Sequence, residues 1–127
     1  MTIRNNYYIV QVKKPHVDWG TYRNPTNRDP VEGESYVKIP SSEARKFDIR
    51  RGKLYMAHFK NGMSSMPIKA SGNGPFENGV QYAKQFEGVG EGACKAFTPW
   101  YRLSEIEVGD WIKVEFLSSK DIEFSKL

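Results

Sequence analysis

Apolar and polar positions alternate in short runs along this chain, and prolines, glycines and polar stretches separate the runs. Tyr7 to Lys14, "YYIVQVKK", is rich in β-forming residues and predicts a first strand that stops at Pro15. A polar stretch with little to bury, His16 to Gly33, follows and carries Pro25 and Pro30. Ser35 to Pro40, "SYVKIP", then alternates, with Val37 and Ile39 on one face and Tyr36 and Lys38 on the other. After Pro40, "SSEARKFDIRRG" predicts a short helix. Ser41 can cap it, Glu43 suits the first turn, Ala44 and Phe47 share a face, and Gly52 marks the exit.

Lys53 to Gly62, "KLYMAHFKNG", reads as the next strand, with Asn61-Gly62 as a hairpin turn. Ser64 to Ala70 is a weaker strand that Pro67 is expected to confine to an edge or a bulge. Gly72 to Gly92 is a second loop-like region holding six of the eleven glycines, with a β-like patch, "VQYAKQF", in its middle. Thr98-Pro99 opens a short helical turn. "LSEIEVGDWIKVEFL" turns at Gly109-Asp110 into a strand with Ile112, Val114 and Phe116 on one face, and "DIEFSKL" is a last strand. The pattern is β-rich, with about seven short strands, two short helices and local antiparallel pairing. No repeat and no domain boundary interrupts residues 1–127, which read as a single domain.

Composition narrows the class. A chain of 127 residues supports one core, and 39% hydrophobic residues with 13% aromatics is a globular mixture. No apolar run approaches the roughly 18 residues of a membrane span, and the N-terminus lacks the pattern of a secretory signal. One cysteine, Cys94, cannot form an internal disulfide, which fits a reducing compartment such as the cytoplasm. With two histidines and one cysteine, a zinc cage is excluded in practice, and no cofactor is implied.

Charge changes the picture more. Residues 1–60 hold twelve Lys/Arg against six Asp/Glu, whereas residues 61–127 hold seven against nine. A basic half suggests an anionic partner, nucleic acid first, although a solvated basic face reads equally well on charge alone.

Catalytic patterns are absent or incomplete. Gln11-Val12-Lys13 imitates the second half of a metal-dependent nuclease motif, but no Asp precedes it. His58-Phe59-Lys60 imitates the His-x-Lys of phospholipase-D-type nucleases, but Ser65 stands where that pattern has Asp, and the motif occurs once where two copies are needed. His58 therefore reads as an ordinary strand residue. No nucleophile elbow, Walker loop or dinucleotide fingerprint occurs, and Gly72, Gly74 and Gly79 read as loop punctuation. No catalytic residue is assigned.

Binding residues are better represented. The first polar arm presents Tyr22, Arg23, Asn24, Asn27, Arg28 and Asp29, types that can pair with base edges. The second offers Lys69, Asn73, Gln81, Tyr82, Lys84 and Gln85. Between them in sequence, Arg45, Lys46, Arg50, Arg51 and Lys53 supply charge suited to phosphates. Each arm alone could be an ordinary polar loop.

The order of these elements resembles a known family. "YVKIPSSEARKFDIRRGKLYMAHFKNG" is similar to the signature of the B-three DNA-binding pseudobarrel: a strand ending in an apolar residue and Pro (Ile39-Pro40), a short helix (Ala44 to Phe47), an Ile-x-x-Gly step (Ile49 to Gly52) and a strand leading to a turn glycine (Leu54 to Gly62). Leu103, Gly109-Asp110 and Ile112 to Phe116 resemble its later step into the penultimate strand. The resemblance covers Tyr7 to Leu127 in layout but only these segments in motif. The arm phrase "RNPTNRDPVEGESYVKIP" looks more like the target-recognition domains of bacterial restriction endonucleases than plant transcription factors, whose tryptophan before the Gly-Asp step is not at the same place here. The resemblance implies a seven-stranded open pseudobarrel with two short helices. It implies an N-arm at Tyr22 to Gly33 and a C-arm at about Ser71 to Gly90 that grip duplex DNA in the major groove.

The expected function is sequence-specific binding of double-stranded DNA by a monomeric, bacterial, cytoplasmic recognition domain. Any nuclease would then be a separate domain or chain. Three rivals stand beside it. One is a transcription regulator using the same β-rich body, and another is a small-ligand or sugar-binding barrel with Trp19, Trp100 and Trp111 as stacking platforms, although Trp111 reads better as packing. The third is a small nuclease with an unrecognised centre.

Overall fold

A computed structural model of the chain describes residues 6–12, 36–60, 62–90 and 96–127. In chain order the elements are β1 (Tyr7–Gln11), β2 (Val37–Lys38), α1 (Ser41–Lys46), β3 (Leu54–Phe59), β4 (Met66–Ser71), β5 (Phe76–Glu77), β6 (Val80–Gln81), β7 (Gln85–Gly88), α2 (Thr98–Leu103), β8 (Trp111–Phe116) and β9 (Asp121–Lys126). Seven strands form one sheet in the order β1-β8-β9-β3-β4-β7-β2, and β5 with β6 forms a separate hairpin. Every described pairing is antiparallel except β3 with β9, which run parallel, so the purely local antiparallel expectation holds only in part.

The sheet curls until its two edge strands meet. The Tyr8 hydroxyl of β1 donates to the Lys38 carbonyl of β2 at 2.8 Å, so a side chain bridges the seam that no ladder closes. Alternation puts Tyr8, Val10, Tyr55, Ala57, Phe59, Ile68, Ala70, Ile112, Val114, Ile122 and Phe124 inside. Phe97 and Trp100 from the α2 region plug one end, Trp100 lying 5.3 Å from the Phe59 ring and 5.9 Å from Phe124. At the other end, Phe47 beyond α1 stacks on Phe116 at 4.5 Å.

Several local expectations need correction. Ser41 does not cap α1: the cap position is Pro40, whose carbonyl accepts from the Glu43 and Ala44 amides at 3.0 and 2.9 Å, and Ser41 is already helical. The helix exit is not Gly52 but Asp48, at φ 52, where the Ile49 amide turns back to the Ala44 carbonyl; Gly52, at φ 91, turns the chain into β3. Pro67 does not lie on an edge strand, since β4 sits between β3 and β7. It is tolerated because pairing with β7 starts only at Ile68, opposite Gly88. The Ala70 amide bonds toward β3, so alternation turns Pro67 toward the side where β7 has already ended. The "VQYAKQF" patch is not one strand but two, β6 and β7, joined by Tyr82 to Lys84.

Candidate nucleic-acid interface

The pairings decide where the two arms attach. β1 delivers the chain to the N-arm at Val12 and β2 receives it at Tyr36, at the end of the sheet where β8 begins and β9 finishes. Val12 is pinned there by its amide to Asp110 at 2.8 Å and by its carbonyl to Gly109 at 2.9 Å. The Tyr101 hydroxyl donates to the Tyr36 carbonyl at 2.5 Å. The N-arm candidates Tyr22, Arg23, Asn24, Asn27, Arg28 and Asp29 lie outside the described residues, as do Trp19 and Cys94. β4 releases the C-arm after Ser71 at the opposite end of the strands, where β3 and β9 begin.

At this second end the structure joins two groups of residues that sequence kept apart. The step Ile49 to Gly52 runs beside the returning C-arm as if it were a further strand. The Arg51 amide donates to the Gln81 carbonyl at 2.9 Å, the Ala83 amide to the Ile49 carbonyl at 3.0 Å, and Arg50 forms a bridge with Tyr82. Arg50 and Arg51 are therefore carried on backbone that is paired to the arm. Side chains add to the join: Arg45 Nε lies 2.9 and 3.0 Å from the two Glu77 oxygens, and Arg51 Nη1 donates to Asn73 Oδ1 at 3.0 Å. Arg50 pairs with Asp48 at 2.9 Å. All three guanidiniums are exposed, and solvent-screened surface contacts hold them weakly, so a phosphate can compete for each.

The remaining candidates divide by placement. Lys46 and Lys84 are exposed, Lys46 with its ammonium 5.2 Å from the Phe47 ring. Lys53 and Lys69 are half-buried, Lys53 over the Tyr55 ring at 5.0 Å and Lys69 3.9 Å from Glu87. Gln81 spends its amide inward, donating to the Gly74 and Tyr82 carbonyls at 3.0 and 2.9 Å. Gln85 is 5% exposed and, among the described residues, its amide reaches Glu87. Gln81 and Gln85 thus brace the arm, while Arg45, Lys46, Arg50, Arg51, Asn73 and Lys84 face outward.

A feature that the sequence reading passed over projects from this surface. Phe76 pairs with Gln81 and Glu77 with Val80, and the connecting Asn78 and Gly79 have φ of 51 and 78. Two successive positive φ values make the tight, twisted turn that Asn-Gly favours, so the signal was present in the sequence. The hairpin's base is rigid: the Gly74 amide donates to the Tyr82 carbonyl, the Tyr82 amide to Pro75, and a Cβ on Gly74 would sit 2.5 Å from the Ala83 oxygen.

His58 is more than an ordinary strand residue. Its Nδ1 lies 2.8 Å from the Ser65 hydroxyl and its Nε2 lies 3.0 Å from Asp121 Oδ1. The carboxylate missing from the local motif arrives from β9 through the parallel pairing, which no sequence spacing reveals. The Ser118 hydroxyl donates to the second oxygen of Asp121 at 2.8 Å. Hydrogen bonding from His58, then from Ser118, holds this carboxyl below its ordinary range. The unit ties β3, the start of β4 and β9 together. Among the described residues, no group of three metal-ligating side chains occurs and no helix is long and apolar enough to cross a membrane.

Of the tryptophans proposed as sugar platforms, Trp100 is 1% exposed and belongs to the core, so it cannot stack on a ligand. Trp111, read as packing, is 47% exposed.

No family model and no curated protein matches the chain. Among solved structures, the Arabidopsis FUS3–DNA complex is similar with a TM-score of 0.55 and 14% identity, over 94% of this chain and 93% of that one. A likeness at that identity is one of fold. The curled seven-stranded sheet with two short helices is accordingly a B-three-like pseudobarrel.

Proposed function

We propose that this domain binds double-stranded DNA in a sequence-specific manner, with the C-arm hairpin directed at base edges and Arg45, Arg50 and Arg51 at the flanking phosphates. The observation that carries the reading is the backbone pairing of Ile49 to Gly52 with the arm, which sets a cationic row beside a rigid projecting ribbon. Phosphate contacts orient a protein on the duplex and base contacts specify the sequence, so a paired mount serves both. The fold shared with the FUS3–DNA complex supports the same reading.

The arm phrase supports a finer proposal: a monomeric target-recognition domain of a bacterial, cytoplasmic restriction endonuclease, with cleavage performed by a separate nuclease domain or chain. The test is selection from a random duplex library, followed by mobility shift with the winner across a salt series. The slope of log affinity against log salt is expected to match about four to eight phosphates. Affinity independent of salt, or none for any duplex at low salt, overturns the proposal. Size-exclusion chromatography tests the monomer.

A further inference from the structure

The β5–β6 hairpin carries an exposed apolar side chain in the strand pair farther from its Asn78-Gly79 turn. Phe76 is 67% exposed, and among the described residues no ring or cation stacks on it. Its placement is nevertheless well determined. Phe76 and Gln81 share one face of the ribbon, Glu77 and Val80 the other. Glu77 is clasped by Arg45 of α1, so its face turns toward the helix and the face of Phe76 turns away. Gln81, the one polar neighbour on that face, has both amide hydrogens committed to the Gly74 and Tyr82 carbonyls. The ribbon thus presents a single apolar ring on a mount held by backbone bonds.

We propose that Phe76 reads the 5-methyl group of a pyrimidine in the major groove, an inference that rests on the DNA-binding reading above. A two-stranded ribbon fits the groove, which is about 12 Å wide. The only apolar group that base pairs display there is the methyl at C5 of thymine, or of 5-methylcytosine, since every other major-groove feature is a hydrogen-bond donor or acceptor. An exposed phenyl ring has no hydrogen bond to offer, so among the base-edge features of the groove it gains by covering such a methyl. Covering one methyl contributes about 0.8 kcal/mol, a ratio of about fourfold.

The experiment uses the whole chain and its selected duplex. Each thymine is replaced singly by uracil, and each cytosine singly by 5-methylcytosine, and binding is measured for the native chain, Phe76→Ala and Phe76→Leu. The native chain is expected to lose about fourfold at one thymine on uracil replacement, or to gain about fourfold at one cytosine on methylation; which occurs identifies the base. Phe76→Ala is expected to ignore the same change, and Phe76→Leu to keep part of the response, with thermal midpoints unchanged because the ring is exposed. Tight binding by the native chain with no response to any methyl overturns this inference and leaves the DNA-binding reading standing. So does an equal loss by Phe76→Ala on selected and random DNA, which assigns the ring to the backbone. No binding to any duplex overturns both.

Discussion

The hydroxyl of Tyr8 and the carbonyl of Lys38, 30 positions apart in the chain, meet at 2.8 Å across the open seam of the barrel. This contact bridges the two edge strands of the curled sheet, where β1 and β2 share no ladder.

Removing that bond without changing shape tests its worth. Tyr8→Phe keeps the ring in its buried place and leaves the Lys38 carbonyl without this donor. We expect a loss of about 1 kcal/mol in urea unfolding, with an unchanged m-value. An unchanged midpoint shows that the seam closes by packing alone.

Alkaline pH tests the same phenols together. Burial raises Tyr8, Tyr55 and Tyr101 above their ordinary value, Tyr55 to about 12. The folded state therefore favours the neutral phenol more than the unfolded chain does. That contribution is complete below about pH 10 and declines as pH rises above it, continuing to at least the raised value of Tyr55. Thermal midpoints taken from pH 8 to 12 are expected to fall above pH 10, and Tyr101→Phe to fall less steeply.

The acid limb has the opposite sign. Asp121 is held below its ordinary value of 3.8, so its contribution is present above that pH and is lost as pH falls through the lowered value. The difference in thermal midpoint between the native chain and Asp121→Asn is expected at pH 6 and to close toward pH 2. A gap that persists at pH 2 assigns the effect to packing. Because the His58 unit serves as a brace, supercoiled plasmid with magnesium is expected to stay intact; cleavage abolished by His58→Ala would make it a catalytic site.

Gly74 has no room for a side chain, since the Ala83 carbonyl carbon and oxygen would lie 2.9 and 2.5 Å from its Cβ. Both contacts are backbone and cannot swing away. Gly74→Ala is expected to cost about 1–3 kcal/mol in unfolding and to weaken specific DNA binding more than random binding, as the ribbon shifts. Gly79→Ala, which has open space but a φ of 78, is the control for backbone strain without a clash.

Base readout and backbone contact separate by mutation. Arg28→Ala is expected to cost about 1–3 kcal/mol on the selected site and little on scrambled DNA. Arg51→Ala, in the row paired to the arm, is expected to weaken both nearly equally and to lower the salt slope by about one. Equal losses for Arg28→Ala on both duplexes assign the N-arm to phosphate.

Alternation and turn chemistry made much of the barrel legible. Val37 and Ile39 against Lys38, and Ile112 and Val114 against Lys113, declare their inner face, because a strand with one dry side must alternate. The Ile39-Pro40, Ile49-to-Gly52 and Gly109-Asp110 steps are scaffold, so their resemblance pointed to the fold. They do not specify a ligand. What the chain order could not state is which distant segments become neighbours. The parallel pairing of β3 with β9 put Asp121 against His58, and β4 became an interior strand although Pro67 argued for an edge or a bulge. Gln81 and Gln85 look like outward readers in one dimension, yet backbone carbonyls and burial claim them once the arm folds back on Ile49 to Gly52. Residue type and spacing report what a side chain can bond to. Only the tertiary fold decides what lies within reach, because hydrogen bonds act over about 3 Å while partners such as His58 and Asp121 are 63 positions apart in the chain.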